Sequence, residues 1–163
     1  MRALQTIALL LVLSACGASA GSGAQACTEI GTPVGIGLDV EPPLAAKVSA
    51  ASLEACWDGS CRTAEVELFP STAPAQTGCV GDVCSAELRP TKGKHGFADL
   101  ADLPEEPVEV TVALTGKGGV TVLERTLEVT PRMQFPNGPD CGGAGTQAGV
   151  VVSGAGAVRD GGA

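Results

Sequence analysis

The segment Cys56-Trp57-Asp58-Gly59-Ser60-Cys61 constrains the fold more tightly than any other stretch of the chain. Asp-Gly is a preferred centre for a two-residue type I′ turn, which needs positive φ at both positions and matches the twist of the strands it joins. With the turn there, Trp57 faces Ser60 and Cys56 faces Cys61. The pair next to the turn is hydrogen-bonded, so the cysteines form the following, non-hydrogen-bonded pair, with Cα atoms about 4.5 Å apart and within disulfide range. The same register puts Leu53, Ala55 and Trp57 on one face with Ala64, Val66 and Leu68. Ser52, Glu54 and Cys56 share the other with Cys61, Thr63, Glu65 and Glu67. One apolar and one polar face is what a half-buried antiparallel sheet requires.

Cys79-Val80-Gly81-Asp82-Val83-Cys84 repeats the device with Gly-Asp, a type II′ turn pair, and sets Cys79 opposite Cys84 on the face of Ala86 and Leu88. The rival reading joins the two C-x₄-C pairs in one four-cysteine zinc site. That spacing is looser than the usual C-x₂-C of zinc ribbons. A redox role is weaker still, because a tight hairpin offers no helix N-terminus to lower a thiol pKa.

The chain holds seven cysteines, an odd number, and the first stands in Leu13-Ser14-Ala15-Cys16 at the end of an apolar run. Met1-Arg2 supply a short positive region, and Ala3 to Leu13 fall well short of the roughly 20 apolar residues of a membrane-spanning helix. The pattern resembles a bacterial lipobox, in which the cysteine thiol receives a diacylglyceryl group and cleavage falls just before it. The resemblance implies a signal peptide over 1–15, lipid on Cys16 and a destination on the outer face of the cell membrane. It leaves six cysteines, and by elimination Cys27 pairs with Cys141. Residues 17–26, GASAGSGAQA, contain nothing that packs and read as a flexible tether, holding the domain within roughly 20 Å of the bilayer. A chain rich in Ala, Gly, Val and Pro, poor in Lys and without Tyr also resembles exported proteins of GC-rich actinobacteria such as Streptomyces.

Removing 1–15 deletes Arg2 and no acid, so the charge moves from −8 to −9. An acidic surface disfavours nucleic acid and anionic headgroups, so contact with the membrane rests on the acyl chains. The remaining span, 27–152, suits one domain with one core. Within it Val34, Ile36, Leu38 and Val40 alternate with Gly35 and Gly37, as in a strand at an edge or closely crossed by another segment. Glu41-Pro42-Pro43 ends it. Phe69 to Pro74 reads as a loop, Arg89 to Gly96 as a basic, turn-rich loop, and Val108 to Leu114 as a strand turning through 116–119 into a partner that needs a β-bulge near Leu123. Residues 131–145 read as a long Pro/Gly connection, Val150 to Val152 as the last strand, and Ser153 to Ala163 as a disordered, frayed tail. The whole predicts an all-β, disulfide-stabilised β-sandwich of about seven strands. Phe97-x-x-Leu100-x-x-Leu103-Pro104 followed by an alternating strand resembles immunoglobulin-like or transthyretin-like surface modules. Trp57 beside Cys56, and the lack of any Tyr for a tyrosine corner, depart from a true immunoglobulin domain.

Chemistry has few candidates. His95 is the single histidine, which excludes multi-histidine metal centres, and no Ser-x-x-Lys pair occurs. A Ser/His/Asp triad would have to be assembled from scattered residues. Arg89, Lys92, Lys94 and His95 form the one positive cluster and a candidate anion-binding loop, the plainer alternative being a solvated loop. Asp99 to Glu109 is acidic but lacks the D-x-D-x-D-G spacing of a calcium loop. Glu65 and Glu67 lie two apart on one strand face, a direction that suits solvent better than an acid/base pair. Trp57 is the lone candidate for a carbohydrate platform and reads better as core or rim packing. No motif calls for a cofactor or metal. The expectation is a non-enzymatic, lipid-anchored binding or structural module of the envelope, its partner an envelope protein or polymer. The alternative is a small envelope hydrolase or protease-inhibitor-like domain.

Overall fold

A computed structural model describes residues 27–162. The signal peptide, the lipidated Cys16 and the tether expected over 1–26 lie outside these residues. Ten strands run in the order β1 (Gly35–Val40), β2 (Ala50–Trp57), β3 (Ser60–Val66), β4 (Phe69–Val80), β5 (Val83–Asp99), β6 (Val108–Thr115), β7 (Thr121–Val129), β8 (Arg132–Gln134), β9 (Gly145–Val152) and β10 (Val158–Asp160). They form two sheets facing one core, a disulfide-stabilised β-sandwich. One sheet has the order β10-β9-β1-β5-β4 with β8 also on β9, and the other the order β3-β2-β6-β7.

The β2–β3 hairpin has the expected register, Cys56 opposite Cys61 and Trp57 opposite Ser60. Asp58 and Gly59 take φ of 48° and 72°, as the type I′ turn demands. Leu53 and Ala55 are fully buried and meet Val110, Val112 and Leu114 of β6 in the core. The three expected disulfides are all formed, with Cα separations of 5.8 Å for Cys27–Cys141, 4.1 Å for Cys56–Cys61 and 4.0 Å for Cys79–Cys84. The bulge in β7 also occurs: Leu114 pairs with Leu123 but Thr115 with Thr121, and the extra residue turns Leu123 and Val129 inward. Leu100 and Leu103 anchor the connection between β5 and β6 from beneath.

Several expectations are corrected. The described residues form ten strands rather than about seven, because segments without a clean alternation are drawn into the sheets by long-range pairing. β1 is central, not an edge: it runs antiparallel to β5 and parallel to β9. Its glycines answer to close crossing instead, for a Cβ on Gly35 would strike the Ala98 carbonyl. Phe69 to Pro74 and Arg89 to Gly96 are not loops but opposite strands of one long hairpin, broken by register shifts between Pro70 and Thr72 and between Pro74 and Gln76. A positive φ of 66° at Lys92 lets Thr91 to Gly93 bulge opposite Ser71, so the strand continues past a turn-like sequence. The strand expected over Val150 to Val152 after the long connection is β9, eight residues rather than three, and β8 lies within the expected Pro/Gly connection. The expected frayed tail instead turns at 153–157 and returns as β10, with Val158 opposite Val152 and Arg159 opposite Val151. The Ser153 hydroxyl accepts from the Ala157 amide at 3.0 Å and closes that turn.

Register fixes two ends of the sandwich. At one end lie Gly35 opposite Asp99, the start of β9 and the Cys27–Cys141 bridge. At the other lie Val40 opposite Lys94 and the 3-10 turn Leu44–Lys47. Beyond Lys94, β5 has left β1 and is paired only with β4.

Candidate functional site

The unpaired length of the β4–β5 hairpin is an arm. From Thr72 opposite Pro90 to Val80 opposite Val83 it spans roughly 25 Å at about 3.3 Å per residue. Residues 78–92 are exposed throughout. Gly81, with φ of 61°, and Asp82 make the tip turn, with the Cys79–Cys84 bridge one residue pair behind it. Val80 is 87% exposed, Val83 73% and Leu88 62%. Such residues are normally half-covered in a sheet, and here nothing in the described residues covers them. Asp82 and Glu87 balance Arg89 and Lys92, so the arm is neutral on an otherwise acidic chain.

The basic residues picked out by sequence are brought onto this hairpin but not to one point. Arg89 reaches Glu87 at 3.4 Å. The Lys94 ammonium donates to the Val48 carbonyl beside the 3-10 turn. Lys92 sits exposed on the bulge. His95 faces outward from the six-stranded sheet, its Nδ1 3.3 Å from the Ser71 hydroxyl and its ring 6.1 Å from that of Phe69. Arg89, Lys94 and His95 thus turn to separate partners, with Lys92 between them on the bulge.

Around His95 a different constellation forms. The registers of four strand pairs align Arg159, Val151, Asp39, His95 and Phe69 in one row across β10, β9, β1, β5 and β4. Inward neighbours Leu38, Val40, Val150 and Val152 are buried, so the row lies on the sheet's outer face. Beside it is a groove of about 350 Å³ lined by Asp39, Glu41, Pro42, Ser71, Thr91 and Arg159 among others. Glu41 and Arg159 pair at 3.8 Å across its rim. Thr91 Oγ1 donates to the Ser71 carbonyl at 3.1 Å and accepts from the Gly93 amide at 3.2 Å, fixing the bulged floor. Sequence reading missed Asp39, Ser71 and Arg159. The only signal was Asp39 itself, one charge amid Gly-Ile-Gly-Leu-Asp-Val, since strand pairing brings the others from far along the chain.

The remaining candidates resolve into structure. Trp57 packs against the core and carries the Arg62 guanidinium 5.1 Å from its ring centre, while Arg62 reaches Asp102 at 3.2 Å. It is rim packing, not a platform. The two C-x₄-C pairs belong to hairpins of different sheets and all four sulfurs are in disulfides, so they offer no common thiolate site. A second cavity, about 360 Å³, lies beside Cys27, Ile30 and Gly143. There Asn137 accepts from Thr28 and the Ile30 amide and donates to the Ile30 and Gly142 carbonyls, clamping the entering chain to the connection that carries Cys141.

Comparison with protein-family models, curated proteins and solved structures finds no match to this chain.

Proposed function

We propose that this chain is a membrane-anchored extracytoplasmic lipoprotein and a non-enzymatic binding module, whose sandwich presents the β4–β5 arm to an envelope protein or polymer. The observation that carries this reading is strand direction. The chain enters at the Cys27 end, whereas β5 runs from the arm tip toward that same end, so the tip points away from the attachment point. With β5 seventeen residues long, the two are separated by roughly 50 Å, more than a short tether spans on average. An anchor at Cys16 would then leave the tip facing outward from the bilayer. Three disulfides suit an oxidising compartment, and the exposed valines give a partner apolar surface to bury.

A photo-crosslinking side chain at position 83 tests the reading in intact cells, with one at Glu124 on the opposite sheet as the reference. A defined adduct from position 83 and none from 124 is expected. Equal capture at both positions, or none at 83, overturns it. Cys16→Ser should abolish lipidation and cleavage at that point, as read by intact mass.

One contact favours the hydrolase alternative. The Ser71 hydroxyl lies 3.3 Å from His95 Nδ1, and Asp39 stands opposite His95 in register. A serine activated by histidine would react with a fluorophosphonate probe. Labelling of Ser71 that disappears in His95→Ala would replace the non-enzymatic reading with this one.

A further inference from the structure

The groove at the base of the arm has a composition that the arm does not explain. Asp39, on the outer side of β1, and Glu41, just past its end, lie two apart in the chain, yet their situations differ. Glu41 is held by Arg159, whereas the Asp39 carboxylate has no hydrogen bond or ion pair among the described residues. The rim thus offers an acceptor-only carboxylate and a guanidinium that only donates, and the Ser71 hydroxyl does both. Val151 and Pro42 add apolar surface to the same lining. At about 350 Å³ the groove matches the lower part of the range for small-molecule sites.

The geometry points to a saccharide site, in which the Asp39 carboxylate accepts from neighbouring sugar hydroxyls and Arg159 and Ser71 complete the polar contacts. A sugar hydroxyl both donates and accepts, and a sugar ring also has C–H faces that pack on apolar surface. The mixture of donors, acceptors and apolar floor meets both needs. Other ligand classes fit less well. A phosphate or sulfate would face two carboxylates against one guanidinium that is already paired. A metal ion would meet Glu41 already bound by Arg159, with that positive charge beside it.

The row continues past the groove. From Arg159 to Phe69 it crosses five strands, roughly 19 Å at about 4.8 Å per strand, and ends on an aromatic ring that is 48% exposed. A linear oligosaccharide lying across the strands would place one unit in the groove against Asp39 and a later one over His95 and Phe69. The ligand is thus a neutral oligosaccharide strand rather than a single sugar, held by a first subsite at Asp39 and a second at Phe69. The site lies where the arm leaves the body, on the end away from Cys27, and is independent of what the arm tip binds.

Calorimetric titration of the full chain with a β-1,4-linked N-acetylglucosamine tetramer and with maltotetraose tests the site, inorganic phosphate serving as the control. Saturable binding of at least one tetramer is expected, weakened 10-fold or more by Asp39→Asn. Phe69→Ala should weaken the tetramer 3-fold or more while leaving the corresponding monomer unchanged. Asp39 is exposed, so an unaltered melting temperature will show that Asp39→Asn is folded. Failure of both tetramers to bind, unchanged affinity in Asp39→Asn, or binding of phosphate in their place overturns the proposal. Val83→Ser should leave saccharide binding intact, so loss of arm cross-linking and loss of sugar binding report separately on the two sites.

Discussion

The two short-range disulfide hairpins are the same local device in two settings. Each has C-x₄-C spacing, a two-residue turn with a positive-φ glycine and cysteines facing one another at a Cα separation near 4 Å. The β2–β3 hairpin lays its apolar face into the core, with Leu53 and Ala55 fully buried. The β4–β5 hairpin projects into solvent with apolar residues on both faces, and leaves Val80 on one and Leu88 on the other uncovered. In the first the bridge reinforces a sheet that burial would hold anyway. In the second, a two-stranded ribbon with no neighbour on either edge is marginal by itself, and the bridge keeps it a ribbon. Covalent reinforcement where burial is missing suggests that an exposed rigid arm is what this sequence retains.

The largest expected effect concerns the body alone. Replacing Cys27 and Cys141 by Ser removes the bridge with the longest loop, and the chain-entropy model puts its loss at about 5 kcal/mol, measured by denaturant unfolding. Next comes Leu53→Ala, which opens a cavity in a fully buried position and should cost about 3 kcal/mol. Leu88→Ala should change stability by no more than about 0.5 kcal/mol. Comparable losses at both positions would break the contrast by showing that the arm is packed in solution.

Glycines sharpen the comparison further. A Cβ on Gly96 would run into the Glu67 carbonyl and a Val66 methyl, where the chain crosses from one sheet to the other, whereas Gly78 in the arm has open space around it. Gly96→Ala should cost about 2 kcal/mol, and Gly78→Ala should be neutral or stabilise by a few tenths of a kcal/mol. Thermal melts of the two variants decide it.

These same residues show what could be read in advance. The β2–β3 register was legible because alternation, turn chemistry and cysteine spacing all specify one pairing within fifteen residues. The cysteine pairing was legible for the same local reason, with Cys27 and Cys141 left over. The strand character of Arg89 to Gly96 was not, since Pro90, the Lys92 bulge, Gly93 and Gly96 disrupt the alternation, and the pairing comes from β4, joined from Lys94 onward by β1, more than fifty residues upstream. β10 was hidden for a related reason. Gly and Ala dominate the segment after Val152, and only the ladder to β9 makes Val158 to Asp160 a strand. The groove inherits this opacity, because Asp39, Ser71 and Arg159 meet through pairings of that long-range kind.

The smallest stability effect is the most telling about the arm. Replacing Cys79 and Cys84 by Ser removes a bridge that the chain-entropy model values at roughly 2 kcal/mol, but only for the cooperative unit that contains it. The arm shares no burial with the core, so its opening is local and the global melting temperature should stay within about 1 °C. Hydrogen exchange should instead accelerate across 74–88 and leave β1, β2 and β6 unchanged. If the arm binds its partner as a preformed ribbon, the unbridged variant must order the strands on binding, and cross-linking from position 83 should fall several-fold despite an intact body. A drop in global stability would join arm and sandwich into one folding unit, and unchanged cross-linking would show that the partner needs only the apolar side chains and not the rigid ribbon that carries them.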